Sequence, residues 1–98
     1  DGVKDVNVYN KIFEAVEKVP GASNPHRVRS RMIGNRYIIT LDIEVNPHIT
    51  ITQAHEIAGA VEKSIEDSID NVYDILVHVE PAGECQTDEK FGVNKGMV

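Results

Sequence analysis

His26, His55, His78 and Glu80 are the residues of this chain whose types and spacing could hold a metal ion. Imidazole nitrogen and carboxylate oxygen are donors for Zn²⁺ and other borderline divalent ions, provided the imidazole is neutral. His78 and Glu80 stand two apart in HVEP, residues 78–81. On a strand that spacing puts both side chains on one face, with Cα atoms roughly 6.6–7 Å apart. They can share an ion or flank two. Third and fourth ligands must come from other elements, and His26 at a strand start, Asp42 on a second strand and His55 at a helix start are the candidates. Spacing alone does not distinguish such a set from ordinary surface histidines. His48, in the loop word NPH, reads as a solvated loop residue.

These side chains have to be positioned by five elements. From Asn7 to Lys18 the apolar residues Val8, Ile12, Ala15, Val16 and Val19 recur at helical spacing, with Asn7 as a possible cap and Pro20-Gly21 as the stop. From Pro25 to Ile33, Arg27, Arg29 and Arg31 alternate with Val28, Ser30 and Met32, which predicts a strand with one wet face. Gly34-Asn35 fits a two-residue turn of type II′ or I′ into a second strand, where Tyr37, Ile39, Leu41, Ile43 and Val45 alternate with Ile38, Thr40, Asp42 and Glu44. Thr50 to Gln53 has the T-x-x-Q form of a capping box, and Ala54, Ala58, Val61 and Ile65 then keep one helical stripe apolar to near Asp70-Asn71. His55 lies off that stripe, with Gly59, Glu62 and Glu66. In the last strand, Val72 to Glu80, Ile75, Val77 and Val79 face one way and Leu76, His78 and Glu80 the other.

Helix, hairpin, helix, strand (αββαβ) predicts an α+β, ferredoxin-like and metallochaperone-like open-faced sandwich: a three-stranded mixed sheet with both helices on one face. The strands joined through the second helix should run parallel. The open face would carry Ile38, Thr40, Asp42, Leu76, His78 and Glu80, a mixed surface suited to a second copy of the chain, so a homodimer is expected. Residues 1–83 make one domain, and the polar, aperiodic residues 84–98 read as a flexible C-terminal tail.

Composition narrows the function. In 98 residues there are 10 Lys and Arg against 16 Asp and Glu, a formal net charge of -6, which disfavours a sequence-blind nucleic-acid binder. The single Cys, Cys85, offers neither an internal disulfide nor a CxxC pair, and in the tail it reads as incidental. No apolar run approaches the ~20 residues of a membrane span, and no signal peptide is legible. A start at Asp1 rather than Met reads as a piece of something longer. No Ser/His/Asp grouping, phosphate loop or paired acids point to an enzyme. Arg27, Arg29 and Arg31 read as solvated or paired with Glu44 and its neighbours, the alternative being lipid headgroups beneath a membrane.

Four separated words carry a resemblance. VPGASNPHRVRSR, GNRYIITLDIEV, ITQAHEIAGAVEKSI and ILVHVEP, in this order between Val19 and Pro81, resemble the cytoplasmic C-terminal domain of cation diffusion facilitator (cation efflux) transporters. The resemblance implies a V-shaped homodimer at the cytoplasmic face of a membrane, tethered to its own transmembrane domain and binding divalent cations at the dimer cleft. It implies metal ligands at His26, His55, His78 and Glu80. Asp42 falls where zinc members have a His, and Glu80 where they often have Asp. Oxygen thus replaces a nitrogen donor and one carboxylate arm lengthens, so beside zinc, manganese, cobalt, nickel or iron stay open, as does a dinuclear site with Glu80 linking a His26/Asp42 pair to a His55/His78 pair.

The expected role is regulatory. Acidic clusters facing each other across a cleft should repel, and cations relieve that repulsion, closing the dimer. Two other readings make different predictions. A freestanding small-molecule regulatory module would respond to an organic ligand and not to metal, and a soluble metal carrier would be a monomer with one exposed site.

Overall fold

A computed structural model describes residues 6–83, in the order α1 (Val6–Glu17), β1 (Ser23–Ile33), β2 (Arg36–Val45), α2 (Ile51–Ser68) and β3 (Val72–Pro81). The expected tail at 84–98 and Cys85 lie outside the described residues. Along α1, Val8, Ile12, Ala15 and Val16 are buried on one stripe, as their spacing requires. The helix already includes Val6, so Asn7 sits exposed inside the first turn and does not cap it. Side-chain type alone places a helix end only to within a residue or two. At the other end Val19 N–H donates to Val16 O at 3.0 Å, tightening the last turn before Pro20.

Gly21 then turns the chain back toward the sheet. Its φ is +92°, a conformation that disfavours a Cβ, and a Cβ built there would stand 2.9 Å from Ile57 Cδ1 on α2. Gly21→Ala strains the backbone and asks only the end of the Ile57 side chain to shift, so it is expected to destabilise the domain by about 1–2 kcal/mol, read as a lowered thermal midpoint.

β1 and β2 form an antiparallel hairpin. At its tip Gly34 has φ +61° while Asn35 is not left-handed, the type II′ pattern. Asn46 Oδ1 accepts the His48 N–H at 2.8 Å in the next turn, which leaves His48 on an exposed loop. α2 opens with the expected capping box: Thr50 Oγ1 accepts from Gln53 N–H at 3.0 Å and Gln53 Oε1 accepts from Thr50 N–H at 2.9 Å. Val61 and Ile65 are its buried stripe, and Ser64 Oγ donates to Ala15 O at 2.8 Å, joining the helices.

After α2 the chain returns as β3 parallel to β2, so the sheet order is β1-β2-β3 with β2 central. Ile39, Leu41, Ile43 and Val45 of β2 are buried in one cluster with residues of both helices, so α1 and α2 cover the same sheet face. The predicted open-faced α+β sandwich is therefore the fold. Register sets the rows of the uncovered face: Arg29, Thr40 and Leu76; His26, Asp42 and His78; Ser23, Glu44 and Glu80. Leu76, more than half exposed, lies on it.

Candidate metal centre

Period-2 patterning on β1 would carry His26 to the wrong side. Counting back from the Arg29↔Thr40 pair in strict register sets Arg27 opposite Asp42 and His26 opposite the core residue Ile43. The strand does otherwise. It is irregular between His26 and Arg29 and again between Ser23 and His26, and each time β1 spends three residues against two of β2. Such a bulge shifts all earlier residues to the opposite face, so His26 pairs with Asp42 on the open face. Arg27 (φ +50°) and Asn24 (φ +48°) occupy the left-handed region, one in each irregular stretch. Asn tolerates that conformation; for Arg it costs roughly 1–2 kcal/mol. Strained backbone on both sides of one histidine marks a constrained position.

The bulge next to Asn24 also fixes the imidazole. His26 Nδ1 lies 2.7 Å from Asn24 O, and since a carbonyl can only accept, Nδ1 carries the proton. In the neutral ring Nε2 then presents a lone pair. It points at two carboxylates, 3.1 Å from Glu80 Oε1 and 3.8 Å from Asp42 Oδ2. The ring is nine-tenths buried (10% exposed), so water does little to separate these groups. Two carboxylate oxygens thus crowd one ring nitrogen, and the one guanidinium at hand, Arg27, meets Asp42 and not Glu80. A proton or a metal ion on Nε2 answers those oxygens, and hydrogen bonding of the remote ring nitrogen to a backbone carbonyl is how metal-binding histidines are oriented.

Asp42 is 4% exposed although it lies on the uncovered face, because its neighbours close over it. Arg27 Nε donates to Oδ2 at 3.3 Å, and His78 Nδ1 lies 3.3 Å from Oδ1. With Nδ1–H donating to Asp42, His78 keeps Nε2 free, on a side chain 60% exposed. Of the arginines expected to be solvated or paired with Glu44 and its neighbours, Arg27 takes Asp42, and Glu44 itself accepts from Asn24 Nδ2 at 2.8 Å.

Four of the five residues singled out from the sequence, His26, Asp42, His78 and Glu80, are thus brought together. His55 is not. It stands exposed near the start of α2, which covers the opposite sheet face, and no polar contact of its ring is formed among the described residues. A His55/His78 pair linked through Glu80 therefore does not arise within one chain. Glu44 was not singled out from the sequence. It neighbours Glu80 across the parallel pair, and His26, Glu44 and Glu80 each offer a donor atom, all within 4.8 Å of one another. The signal was available: the rule that places Glu80 beside His78 also places Glu44 beside Asp42.

The molecule is thus a small α+β sandwich whose open sheet face gathers imidazole and carboxylate donors. A sequence profile of the cytoplasmic domain of cation efflux proteins matches residues 5–82, and the chain belongs to that family. It is not a family of enzymes. The structure is similar to the metal-bound C-terminal domain of the CzcD transporter from Thermotoga maritima, with a TM-score of 0.77 and 37% identity over 83% of this chain and 96% of that one. It is also similar to a cadmium form of a variant MamM C-terminal domain, with a TM-score of 0.73 and 35% identity over 76% of this chain and 94% of that one. By sequence it is 36% identical over 73 residues, 74% of this chain, to the magnetosome protein MamM of Magnetospirillum gryphiswaldense. The chain spans only 23% of that protein's length.

Proposed function

We propose that this chain is the cation-responsive part of a divalent-metal efflux transporter, lying at the cytoplasmic face beside a transmembrane domain of the same protein. Two copies pair, and metal bound at the cleft draws them together. The observation that carries this reading is the His26 Nε2 lone pair, held by Asn24 O and aimed between Glu80 and Asp42. The metal-bound and cadmium forms of similar domains support it. No helix among the described residues is long and apolar enough to cross a membrane. The freestanding small-molecule module and the soluble carrier give way to membership of the family.

His26, Asp42, His78 and Glu80 are the proposed metal site. His55 is kept as a further ligand, and since its own chain holds it on the other side of the sheet, a second copy would have to supply it. His78 is placed for such sharing, with Nε2 unused and exposed. Zinc suits the imidazoles, and the carboxylates also admit manganese, cobalt, nickel or iron. Charge supplies the drive: three carboxylates, Asp42, Glu44 and Glu80, face one guanidinium, so two apposed copies repel until cations enter. A hundredfold tighter affinity for the closed form shifts the equilibrium by about 2.7 kcal/mol.

The test is a Zn²⁺ titration of the metal-stripped chain by calorimetry, with small-angle scattering on the same samples. Micromolar or tighter binding that compacts a dimer, lost in His78→Ala and Glu80→Ala, is the expected result. A dimer that takes up no divalent ion would leave pairing as the domain's only role.

A further inference from the structure

The donors that converge in a single copy differ from the set just proposed for the closed dimer. Asp42 has both carboxylate oxygens engaged, one by Arg27 Nε and one by His78 Nδ1–H, and it is almost fully buried. Its charge is already answered. Glu44 and Glu80 face no arginine or lysine in any ion pair among the described residues; Glu44 takes only the neutral amide of Asn24, through Oε2. Between these two acids stands Nε2 of His26, with no proton of its own in the neutral ring.

We infer that the first divalent cation taken up by one copy is held by His26, Glu44 and Glu80, and that Asp42 stays with Arg27 during that step. This rests on the proposed cation-responsive role and adds to it a ligand, Glu44, and an order of loading. The geometry suits it. A tetrahedral ion with bonds of about 2.0–2.1 Å needs donors about 3.3 Å apart, and the three present lie within 4.8 Å. Both glutamates are partly exposed, so their arms can close that gap by rotation. The histidine need not move, because Asn24 holds it through Nδ1 while the same residue's amide holds Glu44. Asn24 therefore orients two of the three ligands from outside the shell, and its left-handed backbone is what lets carbonyl and side chain serve both.

One nitrogen and two carboxylates, with further positions open to water, form an oxygen-rich set from a single chain. Such a set accepts Mn²⁺ as well as Zn²⁺. Asp42 and His78 then become available for later ions, once Arg27 gives way.

Mn²⁺ is the probe, followed by loss of the aqueous ion's electron paramagnetic resonance signal on titration into the metal-stripped chain, with melting curves to show that each variant is folded. Glu44→Gln is expected to weaken the first equivalent at least tenfold, and Asp42→Asn, which removes a neighbouring charge, to weaken it by a smaller factor. Normal uptake by a folded Glu44→Gln chain would overturn the inference and leave the metal-responsive role standing. Equal losses in Glu44→Gln and Asp42→Asn would overturn the order of loading. No uptake of Mn²⁺ or Zn²⁺ by the unsubstituted chain would overturn the role itself, and the inference with it.

Discussion

His26→Ala is expected to remove at least 99% of the affinity for divalent ions while leaving the metal-free fold in place. The imidazole is the one nitrogen donor that both proposed ligand sets share. Without it, Glu44 and Glu80 face a void on an unneutralised sheet face. The readout is large, because a ligand that binds only the folded form stabilises it in proportion to the logarithm of one plus the ratio of its free concentration to Kd. At a free concentration of 100 times Kd the gain is about 2.7 kcal/mol. For a domain of this size each kcal/mol moves the thermal midpoint by roughly 4–8 °C, so zinc should raise that of the unsubstituted chain by about 10–20 °C. His26→Ala at the same zinc concentration should show almost no rise. A variant that kept the full rise would place the ion elsewhere. Without metal, His26→Ala should melt close to the unsubstituted chain, since it relieves crowded acceptors as it gives up the bond to Asn24 O.

The largest loss of stability is expected from Ile39→Ala. Ile39 has no exposed surface, lies on the central strand and packs in the cluster shared with both helices, so no neighbouring segment is free to collapse into the space left behind. Removing a buried isoleucine side chain down to Cβ costs about 2–5 kcal/mol. The central part of that range lowers the thermal midpoint by roughly 12–25 °C. Leu76→Ala is the informative contrast. Leu76 is 52% exposed on the open face, so its loss should cost a folded single copy less than about 1 kcal/mol. A concentration-dependent drop in the midpoint of Leu76→Ala would show that a second copy covers this face. Ile39→Ala should lose stability at every concentration.

Some of this was legible before any coordinates. α1, α2, β2 and β3 each bury one face, and a buried face imposes a period that survives in the sequence: Val8, Ile12, Ala15 and Val16 at helical spacing, Ile39, Leu41, Ile43 and Val45 at every second residue. The capping box at Thr50 and Gln53 and the Gly34 turn were readable because their chemistry is local. β1 was legible as a strand and illegible in detail. Its irregularities depend on Asn24 and Arg27 adopting positive φ, and an arginine carries no signature for that; only the register against β2 reveals it. Arg27 was grouped with Arg29 and Arg31, and it does meet Asp42, the residue that strict alternation would set opposite it, while the bulge adds His26 to the same row. Glu44 was overlooked because it was read as a partner for arginines. Its neighbour across the sheet is another acid, and pairing between strands far apart in sequence is fixed by the crossover rather than by spacing. His55 was grouped with the others by its type and by the resemblance, and within one copy α2's packing on the far face holds it away from them.

The two sides of the cluster differ in how freely they can change. Asp42, Glu44, His78 and Glu80 are carried by β2 and β3, whose backbone bonds hold the strands about 4.8 Å apart along the whole parallel pair. That half works as a fixed gauge. His26 hangs from an irregular edge strand, where gaining or losing one residue moves a side chain to the other face without disturbing the core. A lineage under pressure to handle an ion of different size or softness can therefore edit the segment 23–28 by insertion, deletion or exchange and leave the remaining donors where they are. Adaptation to a new cargo is expected to be written first in the short stretch between Gly21 and Arg29, ahead of any change in the pleated rows that face it.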